Sequence, residues 1–153
     1  MMRAVRQRYE RKIQKNYQKV NSKVLKSNRL NIKIIGRVIY GNGLGHRIGF
    51  PTANLSAEGC DLGAVANGVY AGFAVVGGVR HRAIVNIGFS PSVIEGGARR
   101  IEAHILDFDA DLYGQTIEVE LAQFIRPEQK FPSREALTAQ IGHDVATART
   151  LLQ

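Results

Sequence analysis

The 153 residues contain no tryptophan and a single cysteine, Cys60, and each scarcity excludes something. One thiol cannot form an intrachain disulfide, so the chain is no bridge-held scaffold; it reads as a protein of a reducing compartment, with a cytoplasmic location expected. Cys60 itself is expected to be inert. Proline is limited to four residues, and the 16 glycines follow no fixed period, which removes collagen and low-complexity disorder. Long apolar runs are also missing. The longest, around residues 69–76, contains Gly72 and is bounded by Gly68 and Gly77, whereas a helix needs ~20 apolar residues to cross a bilayer. No apolar core follows the basic start, as a secretory signal would require. What remains is one soluble globular domain, long enough to bury about two thirds of its unfolded surface in a single core.

Acidic residues are scarce at one end only. Residues 1–30 hold ten Lys or Arg against Glu10, a local charge of +9, while residues 31–153 sum to −1 within a total of +8. Any argument from positive charge to nucleic acid therefore concerns the tail and not the body. In that tail Val5, Tyr9, Ile13, Tyr17, Val20 and Val24 recur at spacings of 4, 4, 4, 3 and 4, which predicts a basic amphipathic helix. A solvated extension leaning on a neighbour is the simpler reading. RNA, an anionic membrane surface or a partner protein such as a targeting receptor are the sharper ones. Two serines and a glutamate make it a poor transit peptide.

From residue 31 the pattern changes to short runs of Val, Ile and aromatics separated by glycine. Residues 32–40, 68–76, 79–87, 101–108 and 116–124 read as strands, and 48–55 as a further strand around Pro51. Gly77-Gly78 suits a two-residue hairpin turn, and 109–114 supplies turn residues between two more strands. No helix-length segment interrupts the strands, which favours an antiparallel sheet or barrel over a parallel arrangement. A helix comes last: Ser133 can cap it, Glu135 lies in its first turn, and Leu137, Ile141, Val145, Ala148 and Leu152 form its apolar stripe.

Three segments could carry chemistry. The stretch from Gly36 to Gly49 is rich in glycine, whose backbone N–H groups can approach an anion closely. It lacks the lysine and hydroxyl of a Walker loop, and His46 stands where a dinucleotide fingerprint needs glycine. Taken alone it reads as a turn. Next, Thr52 and Asn54 are two residues apart, so on an extended backbone they share a face that can hold a metal and phosphates, stiffened by Pro51. An ordinary edge strand is the plainer reading. Third, Glu102 opens a strand after the flexible segment 95–98. A lone exposed glutamate is ordinarily surface decoration, but beside a glycine-rich flap it can act as a general base.

GFPTANL at 49–55, GVYA at 68–71, NIGFSPS at 86–92, IEAHILDFDADLYG at 101–114 and FIRPEQKFPS at 124–133 occur in that order. Together they resemble the riboflavin kinase family, including the kinase module of bacterial bifunctional riboflavin kinase/FAD synthetases, over residues 32–153. The resemblance implies a mainly β fold, a six-stranded antiparallel Greek-key barrel with a C-terminal helix, as domain 31–153 behind the basic extension 1–30. It implies ATP and Mg²⁺, or another divalent cation, in transfer of the γ-phosphoryl group to the 5′-hydroxyl of riboflavin, giving FMN and ADP. Carried onto this sequence, metal and phosphate ligands fall on Thr52 and Asn54 and the catalytic base on Glu102. The flap over the nucleotide includes Gly41, Gly43, Gly45 and Gly49. Arg126, Glu128 and Phe131 match the loop that helps to hold the flavin. His46 departs from a basic flap residue, and Ser92 replaces a threonine while keeping its hydroxyl. The adenylyltransferase domain of the bifunctional enzymes has no counterpart, so FAD synthesis is not expected. The competing expectation is a flavin-binding or RNA-binding module on the same barrel, for which the joint presence of Thr52, Asn54 and Glu102 would be unnecessary.

Overall fold

The computed structural model describes residues 8, 29–41, 43–56, 62–63, 65–89 and 99–153. The tail stripe from Val5 to Val24, Cys60, Ser92 and the segment 95–98 lie outside the described residues. Six strands, β1 (Ile32–Ile39), β2 (Ala53–Leu55), β3 (Gly68–Val76), β4 (Val79–Phe89), β5 (Arg99–Ile105) and β6 (Thr116–Arg126), are accompanied by a short helix α1 (Leu44–Arg47) and a long one, α2 (Arg134–Leu151). The strands close into a barrel in the order β1-β2-β5-β4-β3-β6, with every neighbouring pair antiparallel. The meander β3-β4-β5 with β6 returning beside β3 is the Greek-key arrangement expected above.

Closure follows from the strands' alternation. Ile101, Ala103 and Ile105 of β5 and Ala83, Val85 and Ile87 of β4 point inward with Ile34, Val38, Val119 and Leu121. The intervening residues Arg100, Glu102 and His104 stand on the outside, as the period of two demands. Gly77 and Gly78, at φ of 55° and 79°, make the β3–β4 turn, a geometry that side chains resist at both positions. A second cluster covers part of the outer wall: Val69, Ala71, Ile84, Leu106 and Ala122 pack against Ala148 and Leu151 of α2 and against Leu152, which caps it. Ser133 caps α2, its Oγ accepting from the Ala136 N–H at 3.1 Å.

Two expectations needed correction. The strand around Pro51 is shorter than 48–55, because the Phe50 N–H donates to the Gly45 carbonyl at 2.7 Å and the Gly49 N–H to that of His46 at 3.3 Å. Residues 43–50 thus turn back through α1, and only Ala53–Leu55 join the sheet. The expected stripe of α2 packs inward through Val145, Ala148 and Leu152, but the buried face also takes in Leu151 and, unexpectedly, Asp144. A carboxylate at a buried position requires a partner, and that partner belongs to the site described below.

Two clamps fix the remaining connections. Arg99 donates to Asn67 Oδ1 at 2.9 Å, to the Leu62 carbonyl at 3.1 Å and to the Val65 carbonyl, pinning the approach to β3. Arg149 of α2 binds both oxygens of Asp107 at 2.8 and 2.9 Å, and this bond holds the Asp107 carboxyl below its usual range. Among the described residues no helix is long and apolar enough to cross a membrane.

Candidate active site

Antiparallel register places side chains far apart in sequence in one transverse row. Asn54 of β2 faces Glu102 of β5, Glu102 faces Asn86 of β4, Asn86 faces Val69 of β3, and Val69 faces Arg126 of β6. Directly opposed residues share a face of the sheet, with Cβ atoms about 5 Å apart. Asn54, Glu102, Asn86, Val69 and Arg126 therefore form a stripe across the outer wall, with Glu102 between two amides. One step along, Arg100 faces Gly88, and one step the other way, His104 faces Ile84.

Two cavities open along this stripe, Asn54 lining the first and Glu102, Asn86, Val69 and Arg126 the second. The first, of about 250 Å³, is lined by Tyr40, Gly41, Gly43, His46, Thr52, Asn54, Asp109 and Tyr113 among others. Its mouth carries an aromatic stack, Tyr40 on Tyr113, with centroids 3.7 Å apart. The second, of about 320 Å³, has an apolar side made by Val69, Ile84, Phe131, Leu137 and Ile141 and a polar side made by Asn86, Arg100, Glu102 and Glu128. Thr52 lines both cavities and so stands at their junction.

The flap glycines do different things. A Cβ on Gly41 would lie 2.2 Å from Asn54 Nδ2, so only a bare backbone can rest on that amide. Gly43 and Gly49 have positive φ, 72° and 88°. Gly43 lines the first cavity and Gly45 the second, while Gly49 lines neither. Phe50 meets His104 edge-on at 5.4 Å, and His104 Nδ1 lies 2.8 Å from the Pro51 carbonyl, tying the Pro51–Thr52 turn to β5.

Burial pushes the Glu102 carboxyl above its ordinary value of 4.5; Arg100 pulls it back, and the negative charge of Glu128 pushes it further up. Arg100 Nε is 3.1 Å from Glu102 Oε1. Glu128 comes this close because Gly88 has no side chain: a Cβ there would sit 1.9 Å from Glu128 Oε1. Arg126 also lines the second cavity and is anchored to α2. Its guanidinium donates to Asp144 of α2 at 3.1 and 2.8 Å and to the Pro127 carbonyl at 3.2 Å, and lies 5.6 Å above the Phe131 ring. Asp144 also accepts from Gln140 Nε2 at 3.1 Å. Here is the partner that a carboxylate in the stripe of α2 requires.

Glu102, Thr52, Asn54, Glu128, Phe131 and Arg126 are thus gathered around two joined cavities, with Gly41, Gly43 and Gly45 in their walls. Sequence reasoning missed Asn86 and Asp144. An acid at i+3 from Ile141 and four residues before Ala148 was a readable sign of a buried carboxylate; Asn86, inside NIGFSPS, gave no separate sign.

Known proteins carry sequences similar to this one. The Flavokinase family model, described as riboflavin kinase, matches residues 28–152. RNA-binding riboflavin kinase RibR of Bacillus subtilis is 39% identical over 113 residues, 74% of this chain and 48% of that protein. A bifunctional riboflavin kinase/FMN adenylyltransferase of Haemophilus influenzae is 42% identical over 118 residues, 76% of this chain and 37% of that one. The chain therefore spans half or less of the length of these curated relatives. The crystal structure of riboflavin kinase from Trypanosoma brucei superposes with a TM-score of 0.60 at 26% identity, over 83% of this chain and 79% of that one. With the match running through β1 to α2 and so through every wall of both cavities, the chain belongs to the riboflavin kinase family.

Proposed function

We propose that this chain is a riboflavin kinase, moving the γ-phosphoryl group of ATP to the 5′-hydroxyl of riboflavin to give FMN and ADP. The observation that carries the proposal is the junction of the two cavities at Thr52, with Glu102 directly across the ladder from Asn54. One cavity has glycine-lined walls and an aromatic pair at its mouth, suited to a nucleotide. The other has an apolar side broad enough for a fused ring and a carboxylate on its polar side. Phosphoryl transfer needs positioning, neutralised charge and a proton acceptor, with little covalent chemistry from the protein. Glu102 takes the proton from the ribityl hydroxyl as its oxygen bonds to the γ-phosphorus, and the bond to the β–γ bridging oxygen breaks to release ADP.

Thr52 and Asn54 supply neutral oxygens in the first cavity, and the described residues contain no group of three or more His, Cys, Asp or Glu that could cage a metal. That donor set fits a hard cation such as Mg²⁺, which keeps water and substrate phosphates among its ligands. When bound, the ion would neutralise phosphate charge; Thr52 and Asn54 would hold it. Incubation with riboflavin, ATP and Mg²⁺ followed by chromatography tests the proposal: FMN is the expected product, and flavin binding without FMN would instead favour the binding-module reading.

Acid sensitivity follows from the Glu102 environment. The base works only when ionised, so activity falls as pH drops through a Glu102 pKa held above 4.5 by burial and by Glu128. Glu128→Gln removes a like charge, makes ionisation easier and moves the acid limb of the kcat–pH profile to lower pH. A limb that stays in place or moves up contradicts this coupling.

We also propose that residues 1–30 form a separable extension and 31–153 the catalytic barrel. The barrel body is nearly neutral and the extension carries +9. Deleting residues 1–27, which spares the bond from the Leu30 N–H to the Ala122 carbonyl, should leave the rate of FMN formation within about twofold. Any RNA or anionic-lipid affinity should vanish with the tail and, in the intact chain, fall steeply with salt. A truncated protein that keeps its melting transition yet makes no FMN would place the tail in the active site.

A further inference from the structure

Three buried side-chain atoms have no hydrogen-bond partner among the described residues: both polar atoms of Gln123 and Asn86 Oδ1. Gln123 lines neither cavity. Asn86 lines the second, next to Glu102 in the transverse row. A buried amide oxygen left unpaired is costly, and a native structure keeps one only where something else satisfies it. Of the residues flanking it in the row and on its own strand, Val69 and Ile84 are apolar, and Glu102, when ionised, has no proton to donate to an amide oxygen.

Resting on the riboflavin kinase reading above, we propose that Asn86 binds a hydroxyl of the ribityl chain next to the one that reacts, and so fixes which hydroxyl reaches Glu102. The argument is geometric and chemical. Glu102, as base, must touch the reacting hydroxyl, and Asn86 is its directly opposed neighbour, about 5 Å away at Cβ. A polyol that carries a hydroxyl on successive carbons can meet both side chains at once. An amide presents an acceptor and two donors, and a hydroxyl both donates and accepts, so the pair is complementary whichever way the amide is turned. The fused ring is better matched to the apolar side, where Phe131, Leu137 and Ile141 offer no polar group. Asn86 thereby reads the chain and not the ring, which makes it a determinant of specificity for flavins that bear a polyol.

The test compares riboflavin with lumiflavin, the same ring with a methyl group in place of the ribityl chain, by fluorescence titration of the full-length protein. Asn86→Leu, similar in volume and without the oxygen, should weaken riboflavin about three- to tenfold, the range of one neutral hydrogen bond, and leave lumiflavin unchanged. Asn86→Ser, which restores an oxygen on a shorter side chain, should recover part of the loss and serves if the leucine variant does not fold. Chromatography should also show a lower kcat, because a chain free to slide presents its terminal hydroxyl less often. Equal weakening of both flavins, or no weakening of riboflavin, would overturn the assignment. Should lumiflavin prove too weak to measure in the parent, the riboflavin loss and its recovery by serine decide alone. Parent protein that makes no FMN would refute the kinase reading instead, so the two failures are distinguishable.

Discussion

Glu102→Gln should lower kcat by about 10²- to 10⁴-fold, the range of a positioned general base, which corresponds to roughly 3–5 kcal/mol of barrier. The amide has nearly the shape of the carboxylate and still offers an oxygen to Arg100, whose Nε lies 3.1 Å away, so the second cavity should keep its form. What is lost is the capacity to take a proton. Riboflavin affinity, measured by quenching of flavin fluorescence, should therefore change little while steady-state turnover collapses. The substitution also separates the base from its neighbours: with Glu102 neutralised, the acid limb governed by burial and Glu128 should disappear from whatever activity remains. A glutamine variant with near-normal kcat would remove Glu102 from the mechanism, and the same residue would then be read as an ion-pair partner for Arg100.

Much of this arrangement was legible before any coordinates, because β periodicity and turn glycines are local signals. Gly77-Gly78 between two β-branched runs announces its hairpin, and the alternation in β5 already puts Glu102 and His104 on the face opposite Ile101 and Ala103. The roles proposed for Thr52, Asn54 and Glu102 rest on the resemblance carried by ordered motifs. Their meeting is a different matter. Asn54 and Glu102 are brought together by the β2–β5 register, and nothing local to either residue specifies that pairing. The length of β2 was misjudged for a related reason: residues 48–50 have strand-like composition, but the Phe50 N–H is used by the Gly45 carbonyl to close the flap. Close approaches leave still less trace in a sequence. Gly88 reads as one more strand glycine until the Glu128 carboxylate is found lying across it from the loop after β6. Asn86 looks like an ordinary polar residue until its oxygen proves to be buried beside Glu102 with no partner among the described residues.

Asp144→Ala should destabilise the protein by about 3–5 kcal/mol, the usual cost of stranding one partner of a buried ion pair. Asp144 is 2% exposed, and the Arg126 side chain it serves is 16% exposed, so water can solvate little of the guanidinium left behind. For a domain of this length the loss corresponds to a fall in melting temperature of roughly 6–20 °C, readable by circular dichroism. The damage should not stop at stability. Asp144, Leu137 and Ile141 present one side of α2 to the second cavity, and the bond to Arg126 is what ties that side of the helix to the end of β6. A loosened α2 should raise the KM for riboflavin more than it lowers kcat, since Glu102 sits on β5 and keeps its strand partners. The double variant Arg126→Met with Asp144→Leu separates charge from packing. Replacing both members by apolar groups of similar size removes the stranded cation, so most of the melting temperature should return. A single variant that melts within about 2 °C of the parent, less than 1 kcal/mol by the same conversion, would mean that Arg126 finds water or another acceptor once Asp144 is gone. The carboxylate on the buried stripe of α2 would then have to be explained by something other than this pair.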